Sequence, residues 1–253
     1  MAFLLLTTGS NSIINILNNN NILENYHNNI FKINNVKTKT LAEMLFSREY
    51  NIFNSSEEIQ QSELFKLKDN ERLSENELKT LHDYSNSKFR EINSALRSHS
   101  FKNNNLLEYY INNIDNAISK TEPLKKPVIT FRCRFMQDNY QNPRGREELF
   151  CYKNINNIFI NPSYVSSSLL KASVSENSAH ETCEYIILLP KGFQCLLIPN
   201  SDFYDEAELL LPRNTIFKVE AIFEIGNLLN LDNKPNGEWE FRKNPIILLK
   251  ALI

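Results

Sequence analysis

Four cysteines and four histidines are all that this 253-residue chain offers as soft metal ligands. Cys133, Cys151, Cys183 and Cys195 form no C-x-x-C pair, and His27, His82, His99 and His180 lie at no metal-ligand spacing. No metal site is therefore expected. The cysteines sit mostly in apolar, strand-like contexts, which points to buried free thiols and a reducing compartment rather than a disulfide framework. The G-x-S-x-G elbow is also missing, with no obvious His/Asp partner for a serine, which argues against a serine hydrolase. The apolar run Met1 to Leu6 lacks a basic flank and is too short for a secretory segment or a bilayer span, so no stable membrane insertion is expected. Pro245 to Ile253 is apolar but interrupted by Lys250 and reads as a strand. No internal repeat is found. A net charge of −2 gives no electrostatic case for nucleic acid. The short basic clusters Lys125-Lys126 and Arg144 to Arg146 read as solvated surface.

With 42% hydrophobic and 23% charged residues, the chain has an ordinary globular balance, enough for one large domain or two small ones. Asparagine runs at Asn18 to Asn21 and Asn103 to Asn105, with abundant Ile and Lys, fit the codon bias of an AT-rich genome. The first forty residues carry three lysines against one acid, an organelle-targeting composition without the usual arginines. They are the least periodic part of the chain.

From about 41 to 120 the signals are helical. Leu41 to Tyr50 and Glu57 to Lys68 are amphipathic candidates. Ser74 and Glu77 form an S-x-x-E capping box, followed by Leu78, Leu81 and Tyr84 at helical spacing. A polar break at Ser85 to Ser87 separates these from Phe89, Ile92 and Leu96. Leu106, Leu107, Tyr110, Ile111, Ile114, Ala117 and Ile118 make a further stripe, and all of these faces are expected to pack in the core. Beyond Pro123 and Pro127 the pattern turns to short β-rich runs: Val128 to Phe135, Leu149 to Tyr152, Ile158 to Ile160, Tyr185 to Leu189 and Phe193 to Ile198. The last two flank Pro190-Lys191-Gly192, a hairpin signal. Leu209 to Leu211, Ile216 to Ile225, Glu238 to Arg242 and Ile246 to Leu249 complete the set. Helices first and strands later predict an α+β domain, a helical lobe on a largely antiparallel sheet system.

Three polar features stand out from this apolar background. Arg132 lies inside Val-Ile-Thr-Phe-Arg-Cys-Arg-Phe, where a guanidinium is costly to bury unless a fixed anion such as phosphate meets it. Alternation to a solvent face accounts for it equally well. Ser166-Ser167-Ser168 closes a short strand, where hydroxyls can bond a ribose or orient a carboxylate, although serine runs are usually loops. Asp205-Glu206-Ala207-Glu208 runs into Leu209-Leu210-Leu211-Pro212. An extended backbone there would put the carboxylates of Glu206 and Glu208 on one face, and the plainer alternative is an exposed acidic turn.

Taken in order, a strand Arg, a serine triplet and an E-x-E before an L-L-x-P strand resemble the arginine-specific mono-ADP-ribosyltransferase family. The resemblance extends to Leu78 to Ser85 and Phe89 to Arg97, similar to that family's helical lobe with its Tyr and Ile-Asn-x-x-Leu-Arg segment. It extends also to Glu208 to Val219, and covers roughly residues 70 to 225. The implied fold is an ADP-ribosyltransferase-like α+β fold, an N-terminal helical lobe on a mostly antiparallel split β-sandwich core. The implied organisation is a variable, partly helical extension over 1–70 and a catalytic domain over 71–253, with the lobe at 71–122 and the β-core at 127–253.

The resemblance implies NAD as co-substrate, bound between lobe and core, and no metal. Arg132 would hold its phosphate, with Ser166 and Ser168 beside it. Ser166 would position the nicotinamide-ribose side and Glu208, and Glu208 would stabilise the oxocarbenium-like state as nicotinamide leaves. Glu206 would orient the acceptor guanidinium, and Phe203 and Tyr204 would meet the target protein. Departures are Cys133 where the family commonly has Gly, Ser167 where Thr is usual, and no aromatic in Leu169 to Glu181 to stack on nicotinamide. Tyr164 or Phe159 are the substitutes. The implied partner is a host protein with an acceptor arginine, met by a monomeric bacterial effector or toxin in the host cytosol or an organelle such as the mitochondrion. The rival readings are an NAD glycohydrolase and a non-catalytic NAD- or protein-binding module of the same fold.

Overall fold

The computed structural model describes residues 50–53, 55–135, 156–170, 182–199, 207–230 and 239–253. The strand expected at Leu149 to Tyr152, the helix candidate at 41–49 and the first forty residues lie outside them.

The helical lobe follows the sequence signals closely. Helix α1, Ser56–Gln60, is capped by Ser55, whose side chain accepts from the Glu58 amide. Helix α2, Glu75–Asp83, starts at the expected capping box, with Ser74 and Glu77 bonded reciprocally. Glu77 also meets Lys120 at 2.8 Å, which gives this buried carboxylate a second partner. The polar stretch after α2 does not break the helix. Tyr84–Lys88 forms one π-helical turn that runs straight into α3, Phe89–Ser98. Helix α4, Asn105–Ser119, is capped by Asn104 and buries Leu107, Ile111, Ile114, Ala117 and Ile118, one stripe at helical spacing.

The amphipathic candidate at Glu57 to Lys68 is a helix only as far as Gln60. Beyond it the backbone is drawn into exchange with the end of α4. Lys68 donates to the Lys120 carbonyl and the Glu122 amide donates to the Lys66 carbonyl, both at 2.8 Å. Those strand-like bonds compete with helix continuation, and Leu64 and Phe65 pack on the core instead of lining a helix face.

Among the described residues eight strands follow: β1 Val128–Phe135, β2 Ile158–Asn161, β3 Val165–Ser168, β4 Thr182–Leu189, β5 Leu196–Leu197, β6 Glu208–Leu211, β7 Thr215–Asn230 and β8 Trp239–Leu252. Their spatial order is β2-β7-β8-β4-β1-β3-β6-β5. Every neighbouring pair is antiparallel except β4 and β8, which run parallel. The two late runs expected separately are one strand, β8, passing through Pro245.

The turn at Pro190-Lys191-Gly192 exists, closed by Phe193 N–H to the Pro190 carbonyl at 3.1 Å, with Gly192 at φ +91. It does not make a hairpin. Both sides of β4 are already taken by β1 and β8, so the chain crosses to the far edge, where β5 pairs with β6.

The sheet divides at β1. This strand runs alongside β4 over its whole length, but meets β3 at a single pair, Phe131 and Ser168. About that seam the two halves fold face to face. Leu209 and Leu211 of β6 and Val165 of β3 join one cluster with Tyr185, Ile187, Phe217, Val219, Ile247 and Leu249. Leu210 points the other way, into a second cluster with Tyr84, Ile92, Leu96, Ile111, Ile114 and Tyr164 of the lobe side. Strand β6 is thus covered on both faces, which explains its unbroken leucine run. Because Leu210 is fully buried between lobe and sheet, Leu210→Ala is expected to cost about 3 kcal/mol, measured as a shift in the urea midpoint.

Candidate active site

Where the lobe meets the sheet, the π-turn faces the ends of β3 and β6. Glu208 opens β6 and is 9% exposed. In the β3–β6 ladder Glu208 lies opposite Ser168 and Leu210 opposite Ser166. Opposed residues share a face, so Ser166, Ser168 and Glu208 project with Leu210 toward the helical lobe. Ser167 and Leu209 project to the other face, and the Ser167 hydroxyl donates to the Leu209 carbonyl at 3.1 Å.

The lobe answers with two consecutive residues. Ser85 donates its hydroxyl to Oε2 of Glu208. The Tyr84 hydroxyl, fully buried, accepts from Nδ2 of Asn93 at 2.9 Å and is hydrogen-bonded to the Ser166 side chain. Adjacent residues of a regular α-helix do not share a face. The π-turn brings both to the sheet, as such turns often do at functional sites.

Arg132 closes the site from β1. Beyond the single β1–β3 pair its guanidinium takes over from the ladder, with Nη1 donating to the Ser166 carbonyl at 2.6 Å. Burial holds the Tyr84 phenol above its ordinary pKa, and the Glu208 charge adds to the rise. The Ser166 and Asn93 hydrogen bonds and the Arg132 charge pull against it. The Ser168 hydroxyl turns to its own loop, accepting from the Leu170 amide at 2.9 Å and donating to the Leu170 carbonyl at 2.7 Å.

Behind this row stands a second layer. Oδ1 of Asn93 accepts from the Tyr164 amide at 3.1 Å. The Tyr164 ring meets Tyr84 edge-on at 5.9 Å. Its hydroxyl donates to Asp115 at 2.6 Å, and Arg213 donates to the other oxygen of Asp115 at 2.8 Å. Arg97 reaches Ser163 at 3.2 Å. The Ile-Asn-x-x-Leu-Arg segment therefore divides its work: Ile92 and Leu96 fill the core, while Asn93 and Arg97 tie the lobe to the loop before β3.

Arg132, Ser166, Ser168 and Glu208, singled out from sequence, are brought together. Glu206, Tyr204 and Phe203 lie outside the described residues. The premise of an extended backbone between Glu206 and Glu208 does not hold, because Ala207 sits at φ +44. That is left-handed backbone, so strand alternation cannot be carried across Ala207 to Glu206. Neither substitute for the nicotinamide-stacking aromatic is suited to the role. Tyr164 is 1% exposed in the lobe-side core. Phe159 packs on Phe217 at 5.7 Å on β2, the edge strand opposite to β5. The hydroxyl meeting Glu208 belongs to Ser85, which sequence reasoning passed over. Its signal was the polar Ser85-Asn86-Ser87 stretch interrupting an otherwise helical period. Among the described residues no group of three or more His, Cys, Asp or Glu side chains is placed to hold a metal.

The sequence profile of the ADP-ribosyltransferase exoenzyme family matches residues 56–234, more than half of the chain. The chain belongs to the ADP-ribosyltransferase exoenzyme family. This exoenzyme matches no curated protein sequence, but its fold is shared with solved toxin structures. Plx2a, an ADP-ribosyltransferase toxin from Paenibacillus larvae, is 21% identical with a TM-score of 0.54, over 72% of this chain and 88% of that one. The C3 exoenzyme of Clostridium limosum is 19% identical with a TM-score of 0.55, over 81% and 98%. The enzymatic component C2-I of the Clostridium botulinum C2-toxin is 26% identical with a TM-score of 0.52, over 71% of the exoenzyme and 43% of C2-I. The family match begins at Ser56, within the segment 1–70 that the sequence separates as an extension. Among the described residues of that segment, Asn51 is bridged to Val128, and Phe53 and Ile59 lie in the main cluster.

Tyr84→Phe in the exoenzyme leaves the Asn93 amide and Ser166 hydroxyl without their shared partner. The expected cost is about 1–3 kcal/mol at pH 7. Tyr84 is held neutral in the folded state above its unfolded value, so its contribution is fully present below about pH 10 and is lost above it. The stability gap between wild type and variant should therefore narrow above that pH in denaturant titrations.

Proposed function

We propose that this exoenzyme transfers ADP-ribose from NAD to an arginine of a host protein, releasing nicotinamide. The observation that carries this reading is Glu208 itself. It is a buried carboxylate, held by a hydroxyl donor, in one row with Ser166, whose carbonyl accepts from Arg132. A preorganised carboxylate of this kind favours positive charge that develops next to it, and one such contact is often worth about 3 kcal/mol.

In the reaction the bond between nicotinamide nitrogen and ribose C1′ breaks, and nicotinamide leaves with the electron pair. The ribose passes through an oxocarbenium-like state, the type of transition state that glycosidases also meet with carboxylates. A guanidinium nitrogen then bonds to C1′ and gives up a proton. Glu208 faces the developing charge and the ribose hydroxyl. The Arg132 fork is suited to the pyrophosphate, with Ser166 and Ser168 on the ribose side.

Glu206 supports arginine as the acceptor. Guanidinium has a pKa above about 12, so an ordinary carboxylate is a poor base toward its ground state. Glu206 orients the acceptor by paired hydrogen bonds and takes its proton late. Phe203 and Tyr204, just before it, meet the target surface. The toxin names of the similar structures favour a monomeric bacterial effector that works inside a host cell, in the cytosol or an organelle.

Purified protein incubated with biotinylated NAD and host-cell lysate should label a protein band, and Glu208→Ala should lower that labelling at least about 100-fold. Undiminished labelling by the variant would sink the reading, and Glu208-dependent nicotinamide release without a band would identify a glycohydrolase. Glu206→Gln should reduce transfer to arginine at least about tenfold more than NAD hydrolysis. Equal losses in the two reactions would contradict its orienting role.

A further inference from the structure

We propose that Ser85 is a positioning residue for Glu208, holding one carboxylate oxygen so that the other is presented to the ribose. The inference rests on the transferase reading and adds to it a residue from the opposite lobe. Ser85 and Glu208 are 123 positions apart in the chain, joined by a hydrogen bond from the serine hydroxyl to Oε2.

A glutamate side chain is long and loses considerable rotamer freedom when fixed. Burial alone does not choose among its rotamers, whereas a directed donor does. The donor itself stands on a fixed support. Its neighbour Tyr84 is bonded to Asn93 and Ser166, and Asn93 is bonded in turn to the Tyr164 amide. The π-turn, Tyr84–Lys88, is therefore anchored at its first residue, and Ser85 inherits that position. Ser166 spends its carbonyl on Arg132 and its side chain on Tyr84. Ser166 and Ser168 thus have partners of their own, Ser168 within its own loop, and Ser85 is the one that meets Glu208 from the lobe. With Oε2 held, Oε1 is the oxygen that meets the ligand.

A group acting only through Glu208 changes the chemical step and leaves NAD binding alone. Ser85→Ala should lower kcat about tenfold or more for nicotinamide release and for arginine transfer alike, with KM for NAD within about twofold. Ser85→Thr, which keeps the hydroxyl, should restore most of the loss. Crystal structures of both variants give a readout that needs no activity: the Glu208 carboxylate should leave its wild-type position in the Ala variant and keep it in the Thr variant. A raised KM with kcat retained would mark Ser85 as a ligand contact and overturn the proposal. Unchanged kinetics would overturn it equally. If the wild-type protein released no nicotinamide, the transferase reading would fall. The carboxylate positions would then decide the Ser85 link by themselves, an unmoved Glu208 in the Ala variant refuting it.

Discussion

The Tyr84 hydroxyl lies wholly inside the protein, and a buried hydroxyl left without partners costs more than its hydrogen bonds return. Its partners come from two places, Asn93 one helix further on and Ser166 on the sheet. Satisfying it forces the lobe and the sheet into one relative placement. Once that placement is set, Ser85 faces Glu208, Tyr164 stacks edge-on, and Asp115 can pair with both Tyr164 and Arg213. The Asp115–Arg213 pair is about one-third exposed on each side, so it guides geometry more than it adds stability. The interior hydrogen bonds are the stronger constraint.

The second constraint is the seam beside β1. A continuous sheet would use up the backbone groups of β3 in a ladder on both sides, leaving no acceptor for a side chain. Because β1 and β3 meet at one pair only, the Ser166 carbonyl accepts from Arg132 instead. The same interruption lets the two halves of the sheet close face to face around Leu209, Leu211, Phe217 and Ile247. One break in the pairing thus creates the core and the polar site together.

Much of this was legible in the sequence where the signal is local. The Ser74–Glu77 box, the buried stripe of Leu107, Ile111, Ile114, Ala117 and Ile118 and the limits of β1 depend on near neighbours and are present as expected, whereas Leu78 and Leu106, expected in the core, are exposed. Arg132, the serine triplet and Glu208 were legible through their order along the chain, although no one of them was decisive. What the sequence hid depends on distant partners. The strand-like segment at 66–68 exists because 120–122 lies beside it, and β5 leaves β4 because β8 has taken the place a hairpin would need. The π-turn reads in sequence as a polar break, since Ser85, Asn86 and Ser87 carry no hydrophobic period. The backbone at Ala207 gave no warning at all, because an alanine at positive φ is set by its surroundings and not by its own preference.

Strand β8 is the last of the eight in sequence order, yet it lies in the interior of the sheet, between β7 and β4. A chain that emerges N-terminus first, from a ribosome or through a narrow pore, presents β1 and β4 long before the strand that must be inserted next to them. Until Trp239–Leu252 arrives, β4 and β7 each expose an unpaired edge, which invites association with other chains. Pairing over such sequence distances is also slow. Delivery of β8 therefore acts as the closing step of assembly: chains that have not yet supplied it hold open, adhesive half-sheets, and its insertion seals them.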